Sequence, residues 1–505
     1  MTGFDFRGLF VCDLANNHQG SVAHALKIIE EVGRVAAANH ARTAFKFQFR
    51  ELDTFVHPRH RQGSDNKHIP RFLGTRLTTG DFEKLTQAVR AAGMITMATP
   101  FDEASVELFD QLDINVVKVA SCSATDWPLL EKIASFNRPV VVSTGGLTLD
   151  QVDDLVSYFE HRRVDFALMH CVSIYPTPLA QLELNQIDLL RRRHPGRVVG
   201  FSTHEDPDEL TPVAAAVAKG AQILERHVGL PTAETKLNGY SSTPAQIDRW
   251  MKEAARAWLA CGSMTRRPAS EVELGSLRSL QRGAFASRDV KKGETLVRED
   301  VYFAMPCDSG QLTSGCWRAG IIAAADMAKD APLALTAIEL PQVSEKAVLF
   351  HAIHAIKSML NEAQVKLPTD FQLEFSHHYG IPRFREIGAT IIDCINRAYC
   401  KKIIVQLPGQ FHPNHYHKSK EEAFQVLSGV LQVRIDDRER TLLAGDILVV
   451  PQGVWHEFWT EGGVIFEEIS TTHFNNDSFY EDKQINQIPR SRRKTVVSHW
   501  GRYQI

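Results

Sequence analysis

Apolar runs alternate with helical stretches through the first half of the chain. The runs are Leu9 to Ala15, Thr43 to Phe49, Met94 to Ala98, Asn115 to Ser121, Pro139 to Gly146, Phe166 to Cys171, Val198 to Glu205 and Ile223 to Val228. Between them the apolar residues keep a helical period. Ser21, for example, is placed to cap a helix to about Ala38 with Leu26, Ile29 and Val32 on one face. Strands alternating with helices predict βαβ units and a parallel sheet. Eight such units by Val228, then a last helix near Ile247 to Leu259, suit a (β/α)8 TIM barrel, which takes ~250 residues.

The pattern changes from Leu277. Short β-type runs around Ala286, Leu296 and Val301 to Ala304 are separated by glycine and charged turns. Pro341 to Ser344 reads as a linker and Ala347 to Leu360 as an amphipathic helix. Phe371 to Thr472 reads as strands and turns. Four segments are expected: a barrel over 1–270, a small domain over 277–340, a β-barrel over 367–475 and a C-terminal tail over 476–505.

Composition narrows the class. A chain of 505 residues exceeds one ordinary domain, and its 44% apolar and 23% charged residues are those of a soluble globular protein. A net charge of -3 argues against a nucleic-acid partner, and the basic run Arg490 to Lys494 reads as a solvated tail. The eight cysteines include no CxxC pair and point to a reducing compartment. No signal peptide is evident, and no apolar run nears the ~20 residues that span a bilayer. The expectation is a cytoplasmic protein without membrane or nucleic-acid partners.

Polar residues collect at the strand ends, where barrel chemistry sits. Lys46 and Lys118 interrupt apolar runs on different strands, and a lysine inside a barrel needs an anion. Thr99, Ser121, Ser143, Thr144 and Ser202 add hydroxyl donors. Gly145 and Gly146 let backbone amides approach an anion. The set suits a ligand bearing both phosphate and carboxylate. His204 and His227 end neighbouring strands and can share one metal ion. Satisfied, buried histidines are the plainer alternative at either position.

His170 to Pro178, Gly200 to His204 and Ile223 to His227 resemble the sialic acid synthase family, which condenses phosphoenolpyruvate with a sugar aldehyde such as N-acetylmannosamine. The resemblance covers about residues 9 to 340. It implies phosphoenolpyruvate binding by Lys46, Thr99, Lys118, Ser121, Ser143, Ser173 and Ser202. It implies a divalent metal, usually manganese, on His204 and His227, and a substrate tyrosine at Tyr175. Asp13 takes the place of the family glutamate that handles the attacking water. Ser173 replaces an asparagine, Thr203 an aspartate, and Thr235 to Tyr240 a different segment. The 277–340 segment resembles the family's antifreeze-like (SAF) domain, which covers a partner subunit's site and implies a homodimer. Met305 stands where that domain has an arginine for the sugar's acetamido group.

Residues two apart on a strand share a face, so His415 and His417 point together. Glu422 and His456 can complete a three-histidine, one-carboxylate site for manganese, iron, zinc or nickel. Gly409 to Gly429 and Gly445 to Thr460 resemble the two cupin motifs, with Thr460 in place of an asparagine. His412, Tyr416 and Trp455 are expected to line the pocket. The combined expectation is a synthase with a cupin that isomerises or senses a related sugar. The alternative is a metal- and sugar-binding regulator on the same folds.

Overall fold

A computed structural model describes residues 3–233, 236–498 and 500, and the chain forms two compact units, Met1–Arg267 and Pro268–Ile505. In the first, β1 (Leu9–Asp13), β2 (Thr43–Phe49), β3 (Ile95–Pro100), β4 (Val116–Val119), β5 (Val140–Ser143), β6 (Phe166–Cys171), β7 (Val199–Ser202) and β8 (Ile223–His227) close into a parallel barrel in chain order. Each coincides with an expected run. Thr235 lies outside the described residues.

Period-two alternation sorts the strand residues. Outward-facing Phe10, Phe45, Phe47, Val117, Val142, Leu168, Phe201 and Leu224 pack beneath the helices. Inward-facing Leu9, Val11, Ala44, Met97, Val116, Val141, Ala167 and Ile223 form a separate plug. Burying each large apolar side chain stabilises the fold by roughly 1.5–3 kcal/mol. The plug fills the lower barrel, and the next inward positions are polar. Ser21 caps the helix Val22–Ala38, accepting from His24 N at 3.2 Å. The last helix of the unit, Pro244–Cys261, starts in a capping box of Thr243 and Gln246 and buries Trp250 against Phe10.

In the second unit, β9 (Gly283–Ala286), β10 (Thr295–Leu296), β11 (Val301–Ala304), β12 (Ile321–Ala323) and β13 (Ile338–Glu339) form two small sheets around Ala286, Leu296, Val301 and Ile321. The boundary expected at Leu277 falls inside a helix, Glu271–Leu280. Ser270 caps that helix, and Glu271 and Glu273 in its first turn suit the helix dipole.

A second helix, Glu345–Glu362, lays Leu349, Ile353, Ile356 and Leu360 on the outer face of β14 (Gln372–Ser376), β15 (Ala389–Asn396) and β16 (Tyr399–Gln406). The curled antiparallel sheet continues with β17 (Phe411–His417), β18 (Glu422–Ile435), β19 (Arg438–Leu443), β20 (Ile447–Val450), β21 (His456–Trp459), β22 (Val464–Thr471), β23 (Ser478–Tyr480) and β24 (Lys494–Val497). Its order is β23-β17-β21-β18-β22-β16-β15-β14-β24, with β19 and β20 on β18. Ile404, Phe424, Val426, Val433, Phe458 and Phe466 fill the inside.

The segment expected as a tail is part of this sheet. β23 pairs with β17 and β24 with β14. The physical reason is Glu374, a buried carboxylate on β14. Lys494 Nζ lies 2.5 Å from it and Arg490 Nη2 2.7 Å. The basic run is therefore not a solvated tail. Burial raises the Glu374 pKa, but Lys494 and then Arg490 more than reverse this and hold it below the ordinary range. For Lys494 burial wins, and its pKa stays low despite Glu374.

Glu374→Ala leaves Lys494 unpaired and should cost about 3 kcal/mol in urea unfolding at pH 7. A depressed carboxyl pKa contributes stability that is fully present above the ordinary value of about 4.3 and is lost as the pH falls through the folded value. Wild type and variant should therefore converge in acid. Equal stability at pH 7 would show that Lys494 reaches water without its partner.

Candidate active site and metal centre

Parallel register places Asp13 beside both Lys46 and His227, and Ser202 beside Glu225. All are inward positions above the apolar plug, near the C-terminal ends of the strands. Lys46 Nζ lies 2.8 Å from Glu225 Oε1 and 3.1 Å from Asp13 Oδ2. Lys118 Nζ donates to Ser143 Oγ at 2.5 Å and to Val119 O at 3.2 Å, and lies 3.8 Å from Glu225 Oε2. Ser202 Oγ donates to Glu225 Oε1 at 3.1 Å. Both lysines and both carboxylates are buried.

Burial disfavours each charge, and the partners decide the outcome. Burial lowers Lys46, but Asp13 and Glu225 more than reverse it and hold the ammonium above its ordinary range. Lys118 has only the more distant Glu225, so burial keeps it below its ordinary range. Burial raises Glu225, but Lys118 and then Lys46 bring it down and keep it ionised. The two expected cations are thus a balanced cluster of two lysines and two carboxylates. From the sequence Glu225 stands out only as a polar strand end, with no specific role. Its signal was the same as for Lys46, a charged residue at an inward strand position.

Two more residues extend this line. Gln48 Nε2 donates to Asp13 Oδ2, and Arg50 Nη2 donates to Gln48 Oε1, both at 3.2 Å. The Arg50 guanidinium lies 3.6 Å from the Phe101 ring centroid and 4.0 Å from that of Phe72. Lys46, Gln48 and Arg50 are spaced two apart, a series that was visible in the sequence.

The hydroxyls divide. Ser121 Oγ accepts from Gly145 N at 3.0 Å. A Cβ on Gly145 would come within 2.8 Å of Ser121 Oγ and 2.6 Å of Ser173 Oγ, so glycine is what lets both serines close in. Thr144 Oγ1 donates to Met169 O at 3.1 Å. Thr99 is buried on β3, opposite Gln48.

His204 and His227 face each other with ring centroids 5.4 Å apart. Tyr175 lies 4.3 Å from His204, and Tyr240 lies 5.3 Å from His227. Burial pushes His204 down to about 3, helped by His227, and also lowers His227. Both imidazoles are neutral near pH 7, with lone pairs to offer. A divalent ion fits this pair, with its other positions left to solvent or substrate.

The second unit gathers three histidines. Ligand atoms of His415, His417 and His456 lie within 4.8 Å of one another, the one such group of three or more among the described residues. Strand alternation puts His415 and His417 on one face of β17, and antiparallel register sets His456 opposite His415. Each Nδ1 faces a backbone carbonyl: Pro413 at 3.0 Å, Asp477 at 2.6 Å and Val454 at 3.1 Å. Those contacts place the Nδ1 protons and turn the three Nε2 lone pairs inward. Glu422 Oε1 lies 3.3 Å from His417 Nε2, and its Oε2 lies 3.2 Å from His456 Nε2. Buried Glu422 Oε2 and His456 Nε2 lack a hydrogen-bond partner. Orphaned donor atoms in a buried cluster fit a metal ion.

Beside the histidines is a cavity of about 40 Å³. Lys402, Lys420, Glu468 and Tyr480 line it, and none of them had a role in the sequence reading. Lys420 pairs with Glu422, and its Nζ lies 3.0 Å from Glu468 Oε1. Burial lowers Lys420, but Glu422 and Glu468 more than reverse it. Among the expected pocket residues, His412 lines the cavity. Tyr416 and Trp455 do not: they pack on each other at 4.7 Å, and Tyr416 also packs on Phe479. Tyr416 alternates with His415 and His417, so it faces the other way.

A family model described as the NeuB family matches residues 34–266, and one described as the cupin domain matches residues 403–469. The chain is 31% identical over 229 residues to N-acetylneuraminate-9-phosphate synthase of Drosophila melanogaster, covering 44% of this chain and 60% of that one. It is 26% identical over 311 residues to a pseudaminic acid synthase of Campylobacter jejuni, covering 60% and 88%. A solved Chromobacterium violaceum structure, assigned to spore coat polysaccharide biosynthesis protein E, is 43% identical with a TM-score of 0.64. It covers 66% of this chain and 100% of its own.

Glu225→Gln removes the one ion-pair partner of Lys118 among the described residues. The variant should lose about 3 kcal/mol in urea unfolding without a bound anion. Sodium phosphate, compared with chloride at equal ionic strength, should restore more stability in the variant than in wild type. Equal phosphate effects would mean that Lys118 does not face the anion position.

Proposed function

The chain belongs to the NeuB family, and we propose that its barrel condenses phosphoenolpyruvate with a sugar aldehyde. The products are a 3-deoxy-2-keto sugar acid of the sialic acid type and phosphate. The observation that carries this reading is one end of one barrel holding two buried lysines, two carboxylates and two facing histidines. The relatives named as synthases of N-acetylneuraminate 9-phosphate and pseudaminic acid support the same class.

Lys46 and Lys118 hold the phosphate and carboxylate and offset charge that develops during reaction. Thr99, Ser121, Ser143, Ser173 and Ser202 supply hydroxyl donors around them. A divalent ion on His204 and His227, manganese by preference, would supply a Lewis acid for the aldehyde oxygen. Carbon 3 of phosphoenolpyruvate attacks the aldehyde carbon. Asp13, held by Lys46 and Gln48, accepts a proton from the water that adds at carbon 2. Tyr175, half exposed beside His204, closes over the sugar.

The sugar lacks the acetamido arrangement of N-acetylmannosamine, or binds it without a charged donor. Met305 has no hydrogen-bond donor to offer in its side chain, and Ser173 is shorter than asparagine. Residues 277–340 act as an antifreeze-like domain that covers a partner subunit's site in a homodimer. Eight free cysteines suit the reducing cytoplasm. The cupin spans β14 to β24, holds a divalent transition metal through His415, His417, Glu422 and His456, and acts on or senses a related sugar. Catalysis is the favoured role, because charged Lys402, Lys420 and Glu468 beside the ligands exceed what a structural site requires.

Phosphate release from phosphoenolpyruvate and manganese with a panel of amino sugars and neutral hexoses tests the reading. No release with any sugar would sink it. Lys118→Ala should lower kcat/KM by about 10²–10³ or more, the scale for losing a preorganised charge contact. His204→Ala/His227→Ala should be inactive, with the cupin metal still present by elemental analysis.

A further inference from the structure

The charged residues lining the cupin cavity are Lys402, Lys420, Lys494, Glu422 and Glu468. Lys494 is matched outside the cavity by Glu374. Glu468 Oε1 lies 3.2 Å from Lys402 Nζ and 3.0 Å from Lys420 Nζ, and Glu422 takes the other side of Lys420. Two lysines and two glutamates therefore balance, each at most 4% exposed. Of the carboxylates outside the lining, Asp477 is occupied by the backbone N–H groups of Lys418 and Ser419 at 3.0 Å, and Asp393, opposite Lys402 in the β15–β16 register, has its pKa raised by burial.

This balance holds only while Lys420 is the cation on Glu422. A divalent ion held by the three histidines and Glu422 brings two positive charges, and the lining has no carboxylate left to meet them. Uncompensated buried charge is costly, by several kcal/mol per ion. A bound anion removes that cost. The space sets its size. A water needs roughly 10–15 Å³ of such volume. The cavity of about 40 Å³ has room for a carboxylate and one neighbouring oxygen.

We propose that the metal-loaded cupin cavity binds the carboxylate head of a small 2-oxo or 2-hydroxy acid, and that Lys420 is the positioning residue that couples this anion to the metal. The inference rests on the metal-binding reading of His415, His417, Glu422 and His456. Without metal, Lys420 neutralises Glu422. With metal, it turns to the anion together with Lys402. Thermodynamic linkage then requires each ligand to tighten the other by one common factor.

The test uses the full chain carrying His204→Ala/His227→Ala, so that manganese reports on the cupin. Free manganese is measured by electron paramagnetic resonance during titration in chloride, pyruvate, phosphate or mannose at equal ionic strength. Pyruvate should tighten manganese binding about fivefold or more, the usual scale of site-to-site coupling. Calorimetric pyruvate affinity should rise on adding manganese by the same factor. Lys420→Met in this background should bring the coupling below about twofold, under the low end of that scale, with manganese affinity in chloride undiminished. Lys420→Arg should retain the coupling. Should Lys420→Met fail to fold, the reciprocal factors in the parent and the arginine variant still decide.

Absence of coupling in the parent, or full coupling in Lys420→Met, overturns the proposal. Equal tightening by phosphate overturns the carboxylate assignment, and tightening by mannose overturns the anionic one. If the parent binds no manganese, nickel or zinc, the metal reading itself fails. If it binds metal without anion coupling, only the present inference fails.

Discussion

A charge placed inside a barrel has to meet its opposite there, and much of this molecule follows from that requirement. Lys46 is buried at an inward strand position, where an isolated ammonium would cost several kcal/mol. Asp13 and Glu225 meet it from β1 and β8, which is possible because those strands close the barrel beside β2. Lys118 reaches the same Glu225 from β4. Four strands are thus tied at one level by charge, above a plug held by apolar packing. The lower barrel supplies stability, and the level above it can hold groups that would unfold a weaker scaffold.

The cupin obeys the same rule with different strands. Glu374 draws β24 onto β14 through Lys494, and Glu468 gathers Lys402 and Lys420 beside the histidines. In both units a carboxylate bridges two lysines next to a group of histidines. The difference lies in the ligand sets. The barrel offers two histidines at an open strand end, whereas the cupin offers three, each oriented by a backbone carbonyl.

The eight barrel strands were legible because each is an apolar run of the right length between helical patterns. Lys46 and Lys118 were legible because a lysine breaking such a run has few places to go. Arg50 obeys the same period and was passed over, and Glu225 was seen only as a polar strand end, since a residue there also fits a solvated loop. The cupin ligands followed from strand spacing, yet Tyr416 and Trp455 misled because nearness in sequence is not a shared face. Lys402, Lys420 and Glu468 come from three separated segments, and only the folded register brings them together. Lys494 looked like part of a basic tail because its partner, Glu374, is 120 residues away.

That separation bears on how the protein is made. During synthesis β14 emerges long before β24, and its outer edge stays unpaired while the intervening chain is added. An unpaired strand edge is a template for the wrong partner, another nascent copy included. Glu374 works against this, because a carboxylate on the waiting edge repels a pairing that brings no cation. The β14 edge is closed only once β24 has emerged, about 120 residues later, so pairing there waits for the strand that carries the matching cation.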